Sequence, residues 1–395
     1  MRLTISAEEI VGRQERLLKR VTDEGMEGFI TFSGLSTLYL TGFHFISTER
    51  PACLVIPADG PSFLFVPELE TEHAETALVL DDVVTYPEYP GEKHPMEELA
   101  DVLRDRNLAS ADLMAESAAY ASPMGYRGPV LTDLLSDLTL TVRPTVVEEM
   151  RMIKSPQELE LIRESARWGN LAHALLQEYC APGRTENEVS MWASSEATTV
   201  MLKTLGPDYR PLGRVGASAG FRGQVGANSA LPHAVNINAI MREGDNLVTG
   251  AGSGVGGYGS ELERTMFLGE PCREQRRYFG YMMEMQEAAF GAIEPGMPCS
   301  VVDDAVMAIF RERDLEAHWR HHTGHALGLL GHEAPFFDVG DDTVMQAGMV
   351  FSVEPGIYVP GLGGFRHSDT LVVTDTGIEF LTYYPRNLES LIIRT

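Results

Sequence analysis

Hydrophobic and polar positions along the first 150 residues predict a mixture of helices and strands. Residues 6–25 carry apolar side chains at helical spacing behind Ser6, a candidate N-cap with Glu9 three positions later. Residues 70–79 and 94–108 have the same helical spacing. Short apolar runs between Gly, Pro and Asp turns predict strands in GFITFS, TLYLTGF, ACLVIPA and SFLFVP. The pattern predicts an α/β domain over residues 1–150.

The pattern changes in residues 151–395. Two long helices are predicted first, over 155–183 and 185–202, with Pro156 in the first turn of the earlier one. Strands, a pair of helices and a final run of strands follow. Their segments are NLVTGAG, YGSELERTMFLG, residues 274–293, residues 300–315, MVFSVEPGIYV and FRHSDTLVVTDTG. Grouped helices and mostly antiparallel strands predict an α+β domain.

Charge and composition narrow the range of partners. The chain has 31 basic and 57 acidic residues, a net charge of −26. Such a surface repels phosphates, so we expect no nucleic-acid partner and no binding to an anionic membrane. The N-terminus lacks the apolar region of a signal peptide, and no apolar run is long enough to span a bilayer. We therefore expect a cytoplasmic protein.

Three familiar signatures are weak in this context. The four cysteines lie far apart with no CxxC spacing, so they indicate neither a zinc site nor a disulfide framework. GAGSGVGGYG contains G-x-G-x-x-G, but a strand follows where a dinucleotide site needs a helix. GASAG surrounds Ser218 as in a nucleophile elbow, but a loop follows it. We expect a hairpin turn and a flexible loop, respectively.

Three other segments concentrate groups that can carry chemistry. Glu261 and Glu263 lie two apart in a predicted strand, which places both carboxylates on one face. Glu354 lies in an apolar strand, where a charge is rarely buried without a partner. HHTGHALGLLGHEAP contains four of the 11 histidines, next to glycines that let the backbone approach a ligand closely. We expect these segments to converge on one site.

Six segments of the second half, in this order, resemble the creatinase/prolidase family of pita-bread hydrolases. They are IKSPQELELIR, LPHAVN, GYGSELERTMFLG, HHTGHALGLLGHEAP, VFSVEPGIY and GGFRHSDTLVVTDTG. TGFHFISTERPACLVI extends the resemblance more loosely into the first half. The resemblance implies a creatinase/prolidase N-terminal α/β domain over 1–150, a pita-bread α+β catalytic domain over 151–395, and a homodimer.

The family's metal-dependent members bind two divalent ions through two aspartates, a histidine and two glutamates. Aligned by motif, the first aspartate falls on Gly250 and the final glutamate on Ser368, which have no carboxylate. The second aspartate falls on Glu261, the histidine on His325 and the other glutamate on Glu354. A two-ion site needs bridging carboxylates. We therefore expect no two-ion centre and, in the leading hypothesis, no cofactor.

These departures resemble the metal-free branch, creatinase and ectoine hydrolase. The resemblance implies a metal-independent hydrolase that cleaves a C–N bond of an amide or amidine in a small nitrogenous zwitterion. In that hypothesis His233 is the general base, and Glu263 and Glu354 clamp the substrate's positive charge. His325 and His332 orient the substrate or carry protons.

Three more residues are candidate substrate-binding groups. Arg50 falls where creatinase has an arginine that reaches the substrate carboxylate across the dimer, although a strand-edge salt bridge is the alternative. Glu261 is a third clamp or a remnant of the metal site, and Arg366 lies in the GGFRHSD segment.

Two other hypotheses remain open. An Xaa-Pro dipeptidase or aminopeptidase would act on dipeptides and keep one divalent ion, Mn, Zn or Fe, on Glu261, His325 and Glu354. A non-catalytic pita-bread module would bind a peptide or partner without turnover. Elemental analysis separates the two enzymes, and a substrate screen separates all three hypotheses.

Overall fold

The computed structural model describes residues 3–122, 124–213 and 216–394, which form two compact units. One unit is Ile5–Met150, and the other comprises the chain from Arg151 onward together with the first residues up to Thr4. Within the described ranges, no helix combines the length and the apolar character needed to cross a membrane.

A six-stranded mixed sheet organises the first unit. Its helices are α1 (Ala7–Asp23), α2 (Gly34–Thr41), α3 (Thr71–Ala74), α4 (Pro95–Asp105), α5 (Leu131–Leu134) and α6 (Val146–Arg151). Its strands are β1 (Gly28–Thr31), β2 (Cys53–Pro57), β3 (Phe63–Pro67), β4 (Asp82–Tyr86), β5 (Asp112–Ala115) and β6 (Thr139–Val142). The strand order is β4-β3-β2-β1-β5-β6. β2 is antiparallel to β1 and β3, and the other neighbours are parallel.

Local sequence signals explain most of these elements. The Ser6 side chain accepts a hydrogen bond from the backbone N–H of Glu9, which confirms the predicted N-cap of α1. Every residue of β1, β2 and β3 is buried, as expected for strands covered on both faces. The α/β class predicted for this half is confirmed.

One predicted strand is wrong. TLYLTGF, residues 37–43, lies largely in α2, which begins after the N-cap Ser33 and ends at Gly42 with a φ of 76°. Most of the Thr, Tyr and Leu residues of α2 are buried. Their apolar character therefore comes from burial of the helix, and it does not show the two-residue period of a strand. The observed helix α3 is also shorter than the helix predicted over 70–79, because it ends at Ala74.

The second unit has four helices and fourteen strands in its described residues. The helices are α7 (Pro156–Tyr179), α8 (Glu186–Leu205), α9 (Arg273–Ala292) and α10 (Ser300–Glu312). The first seven strands are β7 (Ala217–Gly220), β8 (Asn246–Val248), β9 (Gly250–Val255), β10 (Tyr258–Gly259), β11 (Leu262–Glu263), β12 (Thr265–Leu268) and β13 (Gly324–Ala326). The remaining seven are β14 (Glu333–Phe337), β15 (Val350–Val353), β16 (Gly356–Val359), β17 (Gly363–Arg366), β18 (Ser368–Thr374), β19 (Gly377–Phe380) and β20 (Ile392–Ile393).

A nine-stranded antiparallel sheet dominates this unit. Its main path is β10-β9-β11-β18-β15-β13-β14, with β19 paired to β18 and β7 paired to β9. A three-stranded sheet (β20-β12-β8) and a two-stranded sheet (β16-β17) complete the unit. Antiparallel strands with grouped helices confirm the predicted α+β class.

The glycine-rich run is a β-hairpin. β9 and β10 pair through Val255 and Tyr258, which leaves Gly256 and Gly257 as a two-residue turn. Both have positive φ, 56° and 87°, as this kind of hairpin turn requires. The hairpin excludes a dinucleotide-binding loop, because no helix follows it. Ser218 lies in β7, which pairs with β9 and does not lead into an α-helix, so a nucleophile elbow is excluded too.

A fully buried arginine joins the strands beside the hairpin to the C-terminal segment. Arg264 donates to the Asp369 carboxylate at 2.8 Å and to the Ser368 carbonyl at 2.9 Å. It also donates to the carbonyl oxygens of Tyr384 and Pro385. A buried charge with this many partners holds several segments in one arrangement.

His173 of α7 is buried and neutral. Its Nε2 lies 2.7 Å from Thr249 Oγ1. Burial, assisted by the charge of Arg264, lowers the pKa of His173 to about 3. The unfolded chain takes up this proton below about pH 6.5. The stability due to the neutral imidazole is therefore complete above about pH 6.5 and is lost as the pH falls toward the folded pKa.

We predict that His173→Asn reduces the fall in unfolding free energy that occurs as the pH is lowered below neutrality. Between about pH 7.5 and about pH 5, wild type should lose about 2 kcal/mol of unfolding free energy more than the variant. Urea unfolding at both pH values measures the difference. His73→Asn, at an exposed histidine, is the control and should change the acid side of the profile less than His173→Asn does. If His173→Asn and wild type have the same dependence of unfolding free energy on pH, the ionisation of His173 is not coupled to folding.

Candidate active site

Neighbouring strands of the large sheet bring the candidate polar residues together. Glu263 on β11 pairs in register with Ser368 on β18. His325 on β13 pairs with Ser352 on β15, and Glu354 follows the end of β15. Since β11, β18, β15 and β13 are consecutive in the sheet, residues distant in sequence meet on one face.

The predicted convergence of carboxylates and imidazoles is present. Carboxylate oxygens of Glu261, Glu263 and Glu354 lie within 4.8 Å of one another. Ligand atoms of Glu261, His325 and His332 satisfy the same limit. Glu261 therefore belongs to both groups, although it precedes β11 and only Glu263 lies within the strand.

The two ring nitrogens of His325 have different surroundings. Nδ1 lies 3.1 Å from the carbonyl oxygen of Ala326, which can only accept, so Nδ1 carries a hydrogen. Nε2 is buried and has no hydrogen-bond partner among the described residues. It lies 3.3 Å from Glu354 Oε1 and 3.9 Å from Glu261 Oε1. Burial opposes protonation, but Glu354 and Glu261 outweigh it and raise the pKa of His325 to about 9.

His332 stacks on His325 and reaches solvent. The ring centroids are 3.7 Å apart and the planes are inclined by 17°. Partial burial and then the neighbouring charge of His325 lower the pKa of His332. His332 thus offers a neutral imidazole at the exposed edge of the site.

Glu354 is ionised at the floor of the site. Burial by itself raises its pKa, but the contacts with His325 and the charge of Arg366 hold the pKa of Glu354 well below its usual range. Arg366 Nε lies 3.7 Å from Glu354 Oε2. A buried carboxylate close to an imidazole and a guanidinium keeps its negative charge at neutral pH.

Glu263 is bound by two guanidinium groups. Arg366 pairs with both of its oxygens, and Arg222 Nη2 donates to Oε1 at 2.6 Å. Burial raises the pKa of Glu263 to about 7, whereas Arg366 and Arg222 favour its ionised form. A Cβ placed on Gly250 would lie 3.6 Å from Glu263 Oε1. The Glu263 carboxylate therefore lies beside the position where a side chain at residue 250 would project.

Two serine hydroxyls fix Glu261. Ser352 donates to Glu261 Oε1 at 2.6 Å, and Ser368 donates to the same oxygen at 3.0 Å. Ser368, which has no carboxylate to offer, thus still contributes to the site by orienting one. Glu261 Oε1 is the same oxygen that lies 3.9 Å from His325.

Sequence reasoning missed three members of the site. Tyr358 Oη accepts a hydrogen bond from Arg366 Nη1 at 2.9 Å and lies 2.8 Å from His321 Nε2. Gln224 Oε1 accepts from Arg366 Nη2 at 3.3 Å. Tyr358 is the last residue of the VFSVEPGIY segment, so its closeness to Glu354 in sequence could have identified it as a member of the site. Arg222 and Gln224 lie in the segment 203–232, where the sequence around them matches no motif that indicates a functional site.

Two candidate residues are not joined to this cluster. His233 is exposed, and no hydrogen bond or ion pair connects it to the site within the described residues. Its role as general base stays a prediction. Arg50 belongs to the first unit and pairs there with Glu49 and Glu88, at 2.5 and 2.6 Å. These contacts fit the salt-bridge alternative for Arg50, and its contact with substrate also stays a prediction.

Buried carboxylates and imidazoles in an antiparallel sheet, in a chain that also has a separate α/β unit, are typical of hydrolytic enzymes of the creatinase/prolidase type. Residues 160–375 match metallopeptidase family M24, and residues 13–153 match the creatinase/prolidase N-terminal domain. The chain belongs to metallopeptidase family M24, and it is a hydrolase of C–N bonds.

Named relatives of the chain are peptidases. A probable dipeptidase PepE of Mycobacterium bovis is 30% identical over 382 residues, which cover 96% of each chain. The Xaa-Pro dipeptidase of Pyrococcus furiosus is 27% identical and covers 95% of this chain and 99% of its own. The crystal structure of dipeptidase PepE from Mycobacterium ulcerans has a TM-score of 0.82 at 25% identity, with 99% and 100% coverage. The pita-bread architecture implied by the resemblance is thereby confirmed.

We predict that Glu263→Gln destabilises the second unit. The change removes the negative charge between Arg366 and Arg222 and leaves a buried guanidinium without its main partner, at a cost of about 3 kcal/mol. Urea unfolding measures the loss.

Glu379→Gln is the matched control for this experiment. It breaks the exposed Arg163–Glu379 pair and should change stability by less than about 1 kcal/mol. Equal effects of the two substitutions would contradict the structural role of Glu263.

Proposed function

We propose that the chain is a dipeptidase of the Xaa-Pro type that uses one divalent ion. The names of the relatives support the substrate class. The arrangement of His325 supports the ion, and this observation carries the proposal. Its Nδ1 is held by a backbone carbonyl, and its buried Nε2 is directed at two carboxylates without accepting a hydrogen bond. Such a second contact at Nδ1 is usual for metal-binding histidines because it fixes the ring orientation.

The donor set fits a single ion. His325 would supply nitrogen and Glu261 and Glu354 would supply oxygen, a combination suited to Zn, Mn or Fe. Ligand atoms at about 2.1 Å from one ion lie about 3.0 to 3.4 Å apart. The observed separations from His325 Nε2, 3.3 and 3.9 Å, need only a small adjustment.

A second ion fits poorly. Gly250 offers no donor, and the Ser368 hydroxyl donates to Glu261. Glu263 has a carboxylate, but guanidinium groups bind both of its oxygens. Another dication beside Arg222 and Arg366 would meet strong repulsion.

Each residue has a defined task in this proposal. An ion bound by Glu261, His325 and Glu354 would polarise the substrate carbonyl and lower the pKa of water. Arg366 fixes Glu354 and Glu263 in position and favours the ionised form of both carboxylates. His332, neutral and at the edge of the site, can exchange a proton with the leaving nitrogen. Water adds to the carbonyl carbon and gives one proton to His332, the C–N bond breaks, and His332 returns this proton to the leaving nitrogen, so that the products are a carboxylic acid and an amine.

The leading sequence hypothesis remains a second candidate. A metal-independent hydrolase of a small nitrogenous zwitterion is favoured by Ser352 and Ser368, whose hydroxyls satisfy Glu261 Oε1 without an ion. Both proposals include a homodimer and a cytoplasmic location, which rest on the family resemblance and on sequence composition.

We predict that purified wild-type protein holds about one Mn, Zn or Fe per chain and that EDTA abolishes its activity. Plasma mass spectrometry measures the metal. His325→Ala should release the ion, because the variant loses the only nitrogen of the proposed set. His73→Ala, an exposed control in the first unit, should retain it. Activity that survives complete removal of metal would support the second candidate instead.

A substrate panel tests the reaction independently of the metal. We predict that wild type hydrolyses Xaa-Pro dipeptides and leaves creatine and ectoine intact. Hydrolysis of creatine or ectoine alone would overturn the dipeptidase proposal. Tight binding of a dipeptide with no turnover of any compound would indicate the non-catalytic module.

A further inference from the structure

Arg222 has an unusual backbone conformation. Four non-glycine residues of the described chain have positive φ: Asn107, Arg222, Asn238 and Asp314. Asn and Asp tolerate this left-handed region, because their short polar side chains bond locally. Arg222, with a φ of 50°, has no such reason to adopt it. Strained residues persist where the surroundings enforce them, and they concentrate at functional sites.

The surroundings of Arg222 do enforce this conformation. The fully buried Glu186 carboxylate accepts from the backbone N–H of Gly223 at 2.7 Å and from those of Ile237 and Ala239. A Cβ at Gly223 would lie 2.2 Å from the Val235 carbonyl oxygen. The segment is therefore pinned on both sides, and Arg222 is directed toward the site.

The Arg222 guanidinium lies between solvent and the buried carboxylates. The side chain is 57% exposed, whereas its partner Glu263 is 3% exposed. Only Nη2 has a hydrogen-bond partner among the described residues, which leaves Nε–H and the Nη1 hydrogens for a ligand. Together with Glu261 and His332, Arg222 forms the accessible edge of the site.

The other guanidinium of the site cannot perform the same task. Arg366 is buried, and all of its nitrogens are engaged by Glu263, Gln224 and Tyr358. Its function is to hold the floor of the site. Arg222 is thus the accessible guanidinium beside the carboxylate cluster within the described residues.

The charge of the site indicates what Arg222 would bind. With all three carboxylates ionised, the two guanidiniums and the proposed divalent ion would leave a single excess positive charge. Amide hydrolysis develops one negative charge on the carbonyl oxygen when water adds to the carbon. Preorganised donors aimed at such a charge commonly provide the largest catalytic effect.

We propose that Arg222 is a catalytic residue whose guanidinium, anchored on Glu263, donates hydrogen bonds to the scissile carbonyl oxygen and stabilises its developing negative charge. This inference rests on the proposed dipeptidase function. Arg222 forms and breaks no covalent bond. Glu263 holds the guanidinium at its inner side, and the free N–H groups face the substrate.

Kinetics of two substitutions test the inference. Arg222→Met removes the charge at similar length and should lower kcat by about 100-fold on an Xaa-Pro dipeptide, with a smaller change in KM. Arg222→Lys keeps the charge and should recover part of the loss. Arg163→Met is the control, since it removes another exposed, ion-paired arginine of the same unit and should retain wild-type rates.

Binding of a transition-state analogue gives a readout without turnover. A phosphinic analogue of the same dipeptide carries a tetrahedral anion, and calorimetry should show about 100-fold weaker binding to Arg222→Met. Arg222→Asn should unfold at the same temperature as wild type or higher, because Asn suits the left-handed conformation, and yet be slow. A purely structural role would instead lower the melting temperature and leave analogue binding unchanged.

The outcomes separate this inference from the proposed function. If wild type cleaves dipeptides and Arg222→Met matches Arg163→Met in kcat and in analogue affinity, the role of Arg222 is wrong and the dipeptidase stands. If wild type cleaves no dipeptide, the proposed function and this inference are both wrong.

Discussion

The buried pair of Arg366 and Glu263 is the interaction on which the site depends. A guanidinium with almost no contact with solvent is tolerable only when charge and hydrogen bonds compensate it fully. Here Glu263 provides the charge, and Tyr358 and Gln224 satisfy the remaining donors. Together with His325, the same guanidinium keeps Glu354 ionised. One positive charge therefore holds two of the three carboxylates in position and favours their ionised forms.

The fold places this pair where strands of distant origin meet. β11, β18, β15 and β13 come from four separate parts of the chain, and antiparallel pairing fixes their register. Arg264 then joins β12, β18 and the C-terminal segment. The site floor is consequently rigid, whereas Arg222 and His332 reach it from loops. A fixed floor with accessible side chains at its edge suits a hydrolase that must hold its charges still and admit a substrate.

Much of this arrangement could be predicted from sequence, and the limits are physical. Helices with clear caps, such as α1 behind Ser6, were predictable because the cap signal is local. The convergence of Glu261, Glu263, His325 and Glu354 was predictable because the sequence segments that contain them occur in the order found in the creatinase/prolidase family. α2 was mistaken for a strand because buried Thr, Tyr and Leu do not reveal their period over so short a segment. Arg222 was not predictable, since its position depends on a left-handed backbone and on Glu186, which is 36 residues away.

The carboxylate beside Gly250 has a consequence for how this sequence can change. A Cβ at residue 250 would lie 3.6 Å from Glu263 Oε1, so a longer side chain there would meet the Glu263 carboxylate. An acidic side chain introduced at 250 alone would set two negative charges against each other in a region with little water. Loss of Glu263 alone would leave the buried guanidinium of Arg366 without its main ion-pair partner. Each change alone is therefore expected to destabilise the second unit, and a carboxylate at residue 250 fits best where the charge at residue 263 is removed at the same time.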